Sequence, residues 1–309
     1  MPFFSVIIPV YNKESYIQQT IESVLSQDFV DYEIIIINDG STDNSEEKLK
    51  QFSDSRIRYF YQKNLGVSVA RNFGINLSQS NFITFLDADD YWYPNFLQTM
   101  YHNIKRFPEQ KVFSAGIEIE YSKKKILKSQ YSIIKTGDCE LVNYFKSSYK
   151  ETVICTSSAV FDKIVFETAG NFDVTMRSGQ DTDLWIRIGL QYDILFCWEI
   201  LARYVHDPHS LSKIPEYINS KVNFSKFHEM ENKNYNLKKF LDLNRYSLAI
   251  KCKLNNDIVH FNKFYKDIHL KNLSLKKKVL LRTPRFILKF LLILQLKLLN
   301  IGLLKSGFR

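Results

Sequence analysis

Cysteine is scarce in this chain of 309 residues, which contains only four. They are far apart in the sequence, at Cys139, Cys155, Cys197 and Cys252. No two of them form a CxxC motif, and no paired histidine motif accompanies them. The pattern excludes the common zinc-site spacings and a disulfide framework, and it predicts a reducing compartment.

Long apolar runs are also missing. No stretch approaches the ~20 apolar residues that a membrane span needs. The chain begins MPFFSVIIP, without a basic segment or a small-residue cleavage site, and this apolar run is too short for a signal sequence. We therefore expect a protein that stays in the cytoplasm.

The overall composition is typical of a folded protein, with 45% hydrophobic and 24% charged residues. It excludes global disorder and a polytopic membrane protein. The charge is unevenly distributed, because residues 221–309 hold 20 Lys and Arg against 5 Asp and Glu, whereas residues 1–220 hold 22 against 28. The basic end predicts an anionic partner, either lipid headgroups or nucleic acid.

Strand-like and helical patterns alternate in the first part of the chain. Apolar runs occur at residues 3–10, 32–37, 56–61 and 82–86, and helical spacing occurs at 13–27, after the cap cluster at 41–45, and at 67–77. The alternation predicts an α/β fold with a Rossmann-like, mostly parallel sheet flanked by helices. Ligands bind beyond the carboxyl ends of such strands, which directs attention to the loops after Val10, Ile37 and Leu86.

The pattern is weaker in the second part, where we expect a helix near residues 138–145 and a clearer helix at 181–190. Beyond Ser212 the chain becomes rich in Lys, Asn and Leu at helical spacing. We therefore predict a domain at residues 1–215 and a helical region at 216–309.

The final segment has a basic and an apolar side. Six polar residues share a sector of about 120° on a helical wheel, namely Lys278, Arg282, Arg285, Lys289, Lys297 and Asn300. Leu, Ile and Phe fill most of the rest, which predicts a basic amphipathic helix lying on a membrane surface. The alternative is a helix packed on the protein's own core or in an oligomer interface. No nucleic acid is expected, because the segment lacks interleaved aromatic platforms for stacking bases.

Carboxylates cluster in two of the candidate loops, which read NDGSTD at residues 38–43 and DADD at 87–90. Crowded carboxylates repel one another and raise their own pKa values, unless a cation or a donor-rich ligand neutralises them. Mg²⁺ and Mn²⁺ prefer oxygen ligands and commonly bridge one or two carboxylates to phosphates. The loops therefore predict a divalent cation and a substrate that carries a diphosphate.

Four groups of motifs follow one another along the chain, namely VIIPVYN at 6–12, NDGSTD at 38–43, NLG at 64–66 with ARN at 70–72, and LDADD at 86–90. Their order resembles that of the family 2 glycosyltransferases, which have the GT-A fold and act with inversion. The resemblance covers roughly residues 3–212. It implies a nucleotide-diphosphate sugar as donor, with UDP as the expected nucleotide.

The resemblance also implies residues that bind the nucleotide. Pro9 and Tyr11 would line the nucleotide pocket, and Asp39 would accept a hydrogen bond from the base. Asp87 would contact the ribose, and Arg71 would lie near the base and the phosphates. From the residue type alone, Asp39 is an acceptor suited to an imide N–H.

The same resemblance places the metal ligands. Asp89 would bind Mn²⁺ or Mg²⁺, and the late histidine of the family corresponds to the segment YVHDPHS at 204–210. His206 is the candidate that would complete the metal site, with His209 as the alternative.

A third motif, GQDTDLWIR at residues 179–187, resembles the stretch that carries the catalytic base of the family. The family usually has Glu-Asp at this point, and here Gln180 replaces the Glu. Asp181 would be the base that takes the proton from the acceptor hydroxyl, while the metal stabilises the departing diphosphate. We expect Asp183 to be a structural acid or an acceptor contact.

These observations predict a metal-dependent glycosyltransferase that moves one sugar to a hydroxyl of a lipid-linked or surface glycan, as in lipopolysaccharide, capsule or exopolysaccharide biosynthesis. It would work at the inner face of the cell membrane as a peripheral protein. A processive synthase is less favoured, because the chain lacks a QxxRW motif and a membrane span. A catalytically silent nucleotide-sugar-binding scaffold at the membrane is the alternative from another class.

Overall fold

The computed structural model describes residues 1–122, 125–206 and 224–300, with the side chains of 296–300 excepted. The first part of the chain alternates strands and helices as expected. Its elements are β1 (Phe4–Val10), α1 (Ile17–Leu25), β2 (Tyr32–Asp39), α2 (Ser45–Leu49), β3 (Ile57–Gln62), α3 (Val67–Leu77), β4 (Phe82–Phe85), β5 (Tyr91–Trp92) and α4 (Phe96–Arg106). The predicted strands and helices of residues 3–86 are therefore confirmed.

From residue 112 to residue 205, strands and short helices follow one another without a regular alternation. The elements are β6 (Val112–Ser122), β7 (Lys125–Lys128), β8 (Cys139–Val142), α5 (Tyr144–Ser147), β9 (Ala159–Asp162), α6 (Ile164–Thr168), α7 (Gln180–Gly189) and β10 (Ile194–Val205). The helix expected at 181–190 is confirmed by α7. The helix expected at 138–145 is wrong for its first half, because β8 pairs with β10 from Cys139 to Val142 and only α5 is helical.

The strands of the described residues form one sheet in the order β3-β2-β1-β4-β9-β6-β10-β5, with β7 beside β6 and β8 beside β10. Strands β3, β2, β1 and β4 are mutually parallel, as predicted. Strand β9 is antiparallel to both β4 and β6. The fold class is confirmed, but the sheet is parallel throughout only in its first half and is mixed overall.

Both faces of the sheet are covered, which explains why β1 and β2 read as continuous apolar runs. On one face, Ile7 and Ile35 pack with α3 and α7. On the other, Val6 and Ile34 pack with α1 and α4. The alternation along each strand sends successive side chains into two separate cores.

Pro9 lies inside β1, although proline removes a hydrogen-bond donor from a central strand. Leu86 N donates to Ile7 O, so Pro9, two residues further on, faces the same neighbour β4. The pairing of β1 with β4 ends at Ile7 and Phe85, and β4 itself ends at Phe85. The missing N–H of Pro9 therefore lies beyond the last residue of β4, where the sheet has no acceptor for it, and the loop after β1 begins directly behind it.

The last described part is helical. Its helices are α8 (His228–Lys233), α9 (Tyr235–Leu254), α10 (Ile258–Lys266), α11 (Leu275–Arg282) and α12 (Arg285–Asn300). Helix α9 packs on α5, where the Phe240 ring lies 5.3 Å from Tyr144 and 5.7 Å from Phe145. These residues belong to the same core as α7. The domain boundary predicted near residue 215 lies outside the described residues.

The predicted basic helical wheel spans a break in the structure. Helix α11 ends at Arg282 and α12 begins at Arg285, because Pro284 disfavours a helical conformation at Thr283, which is extended at ψ 133°. Lys278 therefore belongs to a different helix from Lys289. No helix of residues 1–122, 125–206 or 224–300 is long and apolar enough to cross a membrane.

Candidate active site

Three strand ends converge at one edge of the sheet. Strand β6 runs parallel to β4, because β9 between them is antiparallel to both, and β10 is parallel to β6. The loop Asp87–Asp90 after β4 therefore lies at the same edge as the carboxyl ends of β6 and β10. Val205 N at the end of β10 donates to Asp90 Oδ1 at 2.9 Å, which confirms the juxtaposition.

Arg71, on α3, joins two of the predicted site carboxylates. Its Nη2 donates to Asp87 Oδ1 at 2.6 Å, and its Nη1 donates to Asp181 Oδ1 at 2.6 Å. The guanidinium is buried and lies over the Phe172 ring, 5.1 Å from its centroid. Burial by itself lowers the pKa of Arg71, but the charges of Asp87 and Asp181 outweigh this effect and raise the pKa overall. Arg71 thus holds a permanent charge between β4 and α7.

Asp181 stands in the first turn of α7, and 37% of its side chain is exposed. The helix begins after Gly179, whose φ of 80° suits glycine because it has no Cβ. Desolvation raises the pKa of Asp181, while Arg71 opposes the shift and Asp87 adds to it. A carboxylate with a raised pKa, fixed through one oxygen, is suited to accepting a proton.

Asp89 faces a lysine. Lys13 Nζ, from the loop after β1, lies 2.6 Å from Asp89 Oδ2. Burial raises the pKa of Asp89, Lys13 lowers it, and Asp87 raises it again. Asp89 is thus a desolvated carboxylate that already has a cation beside it.

Asp90 is fully buried and links the loop after β4 to two other segments by hydrogen bonds. It accepts from Ser157 Oγ at 2.6 Å in addition to Val205 N. Burial raises the pKa of Asp90 well above its usual range, and Asp89 and Asp87 add to the shift. Asp90 is therefore part of the framework beneath the site.

Asp39 organises the loop between β3 and α3. It accepts hydrogen bonds from Gln62 Nε2 at 2.7 Å and from the amides of Leu65 and Gly66 at 2.9 Å each. Gly66 begins α3 with φ of 96°. Since a carboxylate offers about four acceptor positions, Asp39 keeps acceptor capacity for a further donor.

Tyr11 is the exposed aromatic residue of the loop after β1, with 41% of its surface accessible. The following residue, Asn12, has φ of 51° and accepts from Thr42 N at 2.8 Å. Asp43 accepts from Glu14 N and Ser45 N at 3.0 Å each, which fits a structural capping role. The loops after β1 and β2 are thereby held together around the exposed Tyr11.

His206 follows β10. Its backbone N–H donates to Glu120 O at 2.9 Å, and its ring lies 5.1 Å from that of Tyr121. The structure brings it to the same edge as Asp90, through Val205. His209, the alternative ligand, lies outside the described residues. The metal role of His206 stays a prediction.

The implied divalent cation needs oxygen ligands at this edge of the sheet. Within the described ranges, no three His, Cys, Asp or Glu side chains group to hold a metal ion. Mg²⁺, however, commonly takes one or two carboxylates and completes its shell with phosphate oxygens and water. Asp89 fits this requirement, because its carboxylate is desolvated, lies near the negative charge of Asp87 and already attracts the ammonium of Lys13.

Two further groups at or near this edge were not found from the sequence. Arg203 on β10 pairs with Glu118 on β6 and lies over the Tyr91 ring, 5.1 Å from its centroid. Lys226 pairs with the buried Asp183 on α7, which Arg187 also contacts at 3.0 Å. The structural role expected for Asp183 agrees with these contacts. No local pattern in the sequence could have suggested these pairs, because the partners are far apart along the chain.

Comparison with known proteins identifies relatives. The model of Glycosyl transferase family 2 matches residues 5–170. An uncharacterized glycosyltransferase of Rickettsia typhi is 31% identical over 227 residues, covering 70% of this chain and 69% of that protein. Glycosyltransferase GlyA of Streptococcus pneumoniae is 43% identical over 105 residues, which cover 33% of this chain and only 15% of GlyA.

The architecture is similar to the crystal structure of S. aureus TarS 1–349 in complex with UDP-GlcNAc. The TM-score is 0.68 at 17% identity, covering 87% of this chain and 82% of that chain. The central sheet with its flanking helices is thus the GT-A fold of glycosyltransferases. With the family model matching more than half of its length, the chain belongs to glycosyl transferase family 2.

Proposed function

We propose that this protein is an inverting, metal-dependent glycosyltransferase that transfers one sugar from a UDP-sugar to a hydroxyl of a glycan or lipid-linked acceptor. The observation that carries the proposal is the bridge of Arg71 between Asp87 and Asp181. It joins a carboxylate of the nucleotide side to the candidate base. TarS, which shares the fold, was crystallised with UDP-GlcNAc and with UDP.

The nucleoside would lie along the loops after β1, β2 and β4. Tyr11 offers an exposed ring beside the open end of β1, next to Pro9. Asp39 has acceptor capacity left for a base N–H, and Asp87 is partly exposed for a ribose hydroxyl. Arg71 acts on this side mainly by fixing Asp87, and its positive charge also faces the region proposed for the phosphates.

The diphosphate would be held at Asp89 through Mn²⁺ or Mg²⁺, with His206 as the second ligand candidate. When bound, the cation supplies Lewis-acid stabilisation of the negative charge on the departing nucleoside diphosphate. The contribution of Asp89 is a carboxylate placed by the rigid end of β4. Asp90 supports it from beneath through bonds to Ser157 and Val205.

Asp181 would take the proton of the acceptor hydroxyl. The acceptor oxygen forms the new bond to the anomeric carbon, the bond from that carbon to the diphosphate oxygen breaks, and the nucleoside diphosphate leaves with the electron pair. Arg71 keeps Asp181 in orientation through one carboxylate oxygen. The raised pKa of Asp181 brings the group closer to the pH at which a general base works.

The acceptor side is proposed to lie at a membrane surface, on the inner face of the cell membrane. Helix α12 packs on α9 through Leu288 and exposes Phe286, Phe290 and Ile293 on its outer side. A helix that is apolar on both sides needs a second covering surface. The excess of Lys and Arg in residues 221–309 favours an anionic bilayer, and therefore a lipid-linked acceptor.

The test is donor binding and hydrolysis across UDP-, GDP- and dTDP-sugars, with and without Mn²⁺, in the full-length chain. We expect one UDP-sugar to bind with metal, Asp89→Ala to lose that binding, and Asp181→Asn to bind the donor without turnover. Asp138→Asn, on an exposed loop, is the matched control and should behave as wild type. If wild type binds but never turns over donor or acceptor, the scaffold alternative replaces the enzyme.

A further inference from the structure

The side chain of Lys13 is held at the metal candidate. Lys13 N donates to Ser45 Oγ at 2.8 Å, and Lys13 O accepts from Tyr16 N and Ile17 N at 2.9 Å each. The backbone of this residue is thus fixed at the start of α1. Its ammonium reaches across to Asp89 with only 21% of the lysine and 15% of the aspartate side chain exposed. This is a desolvated pair at the edge of the site.

The pair belongs to a larger charge balance. Asp87, Asp89 and Asp90 follow one another at the end of β4, and each needs a neutralising group. Arg71 serves Asp87, and Asp90 accepts two hydrogen bonds within the protein. Lys13 supplies the positive charge beside Asp89.

A divalent cation at Asp89 would meet this ammonium. The ammonium and the divalent cation repel each other, and the repulsion is stronger because the pair is largely desolvated. Lys13 and the metal are therefore competitors for Asp89 unless another anion enters. The donor brings such an anion, because its diphosphate carries negative oxygens on the side of the metal.

We propose that Lys13 is the resting counter-ion of Asp89, and that it moves from Asp89 to the diphosphate of the donor when the divalent cation binds. The inference rests on the proposed metal role of Asp89. Its consequence is that metal and nucleotide bind cooperatively, since each removes the obstacle to the other. Metal alone binds weakly, because it must displace Lys13 without compensation.

The experiment titrates the full-length protein with Mn²⁺ alone, and then with Mn²⁺ in the presence of UDP, using the EPR signal of free Mn²⁺. Lys13→Met should bind Mn²⁺ alone about ten-fold more tightly than wild type, because a competing charge is gone. UDP should then raise its Mn²⁺ affinity by a smaller factor than in wild type. Lys13→Arg, which keeps the charge, should resemble wild type.

The matched control is Lys105→Met, which removes one positive charge from an exposed position in the last turn of α4, beside Phe3 at the amino end of β1. It should leave both titrations unchanged. The inference is overturned alone if Lys13→Met matches wild type in both titrations while Asp89→Ala has lost Mn²⁺ binding. If Asp89→Ala binds Mn²⁺ and UDP as wild type does, the metal role of Asp89 and the inference fail together.

Discussion

Asp87 and Asp181 share one guanidinium group, with each carboxylate oxygen 2.6 Å from a nitrogen of Arg71. Asp87 lies in the loop that follows β4, and Asp181 lies in the first turn of α7, which packs in the same core as α3. The shared guanidinium fixes the distance between the two carboxylates and offsets their mutual repulsion at this edge of the sheet. Donor and acceptor chemistry would then be aligned by a single buried residue.

Replacing Arg71 should destabilise the protein as well as inactivate it. Arg71→Met leaves two carboxylates facing each other around an apolar side chain, and we expect a loss of about 1 to 3 kcal/mol, because both carboxylates remain partly hydrated. Urea denaturation should show this loss. Arg106→Gln, which breaks the exposed pair with Asp138, is the control and should change the free energy of unfolding by less than about 1 kcal/mol. Equal effects in both variants would contradict the bridging role.

The free energy of unfolding of Asp90→Asn, relative to that of wild type, should increase as the pH rises. In the folded protein, burial raises the pKa of Asp90 well above the ordinary value of an aspartate. Between the two pKa values the folded state binds more protons than the unfolded state, so the stability contributed by Asp90 falls with rising pH. The variant lacks this loss.

Denaturation of wild type and Asp90→Asn at about pH 5 and about pH 8 checks the sign of this linkage. The relative free energy of unfolding should shift in favour of the variant at the higher pH. Asp138→Asn is the control, because hydrogen bonding to Arg106 lowers the pKa of Asp138, and the carboxylate is therefore ionised in both the folded and the unfolded state over this pH range. Its difference from wild type should not change between the two pH values. A constant difference between wild type and Asp90→Asn at both pH values would argue against a protonated Asp90.

The helices beyond residue 224 should unfold together with the sheet. Phe240 on α9 is buried against Tyr144 and Phe145, so Phe240→Ala should lower the free energy of unfolding by about 3 to 5 kcal/mol. Fluorescence of the buried Trp185, which stacks on Phe161 at 5.1 Å, reports the core. The tryptophan signal and far-UV circular dichroism should give coincident transitions. Two separate transitions would indicate that the helices form an independent unit.

Membrane binding should depend on the outer side of α12. Phe286→Ser and Phe290→Ser should each lower binding to anionic vesicles by about ten-fold, because a side chain that enters the bilayer interface loses its favourable transfer. Raised salt should weaken binding of wild type. Ile134→Ser is the control, since Ile134 is 85% exposed but lies outside the helical region. Unchanged vesicle binding in both phenylalanine variants would favour the oligomer-interface alternative, which sedimentation would detect.

The first half of the fold follows from local sequence. The isoleucine run of β2 and the helical spacing of α3 predict their own structures, because periodicity is a property of neighbouring residues. The acidic loops then lie at the carboxyl ends of parallel strands by the geometry of such sheets. For this reason Asp39 and the Asp87–Asp90 loop could be predicted as candidate site residues from the sequence.

Other features depended on partners far along the chain. Strand β8 forms because its backbone pairs with β10, which lies more than fifty residues further along the chain. The final basic segment forms two helices rather than one, because Pro284 interrupts the helical pattern that the sequence predicts. The sequence alone determined that carboxylates stand in the loops that follow β2 and β4. Only the tertiary structure decided that Arg71 binds two carboxylates and that Lys13 faces Asp89, because contacts between distant residues depend on how the strands and helices pack.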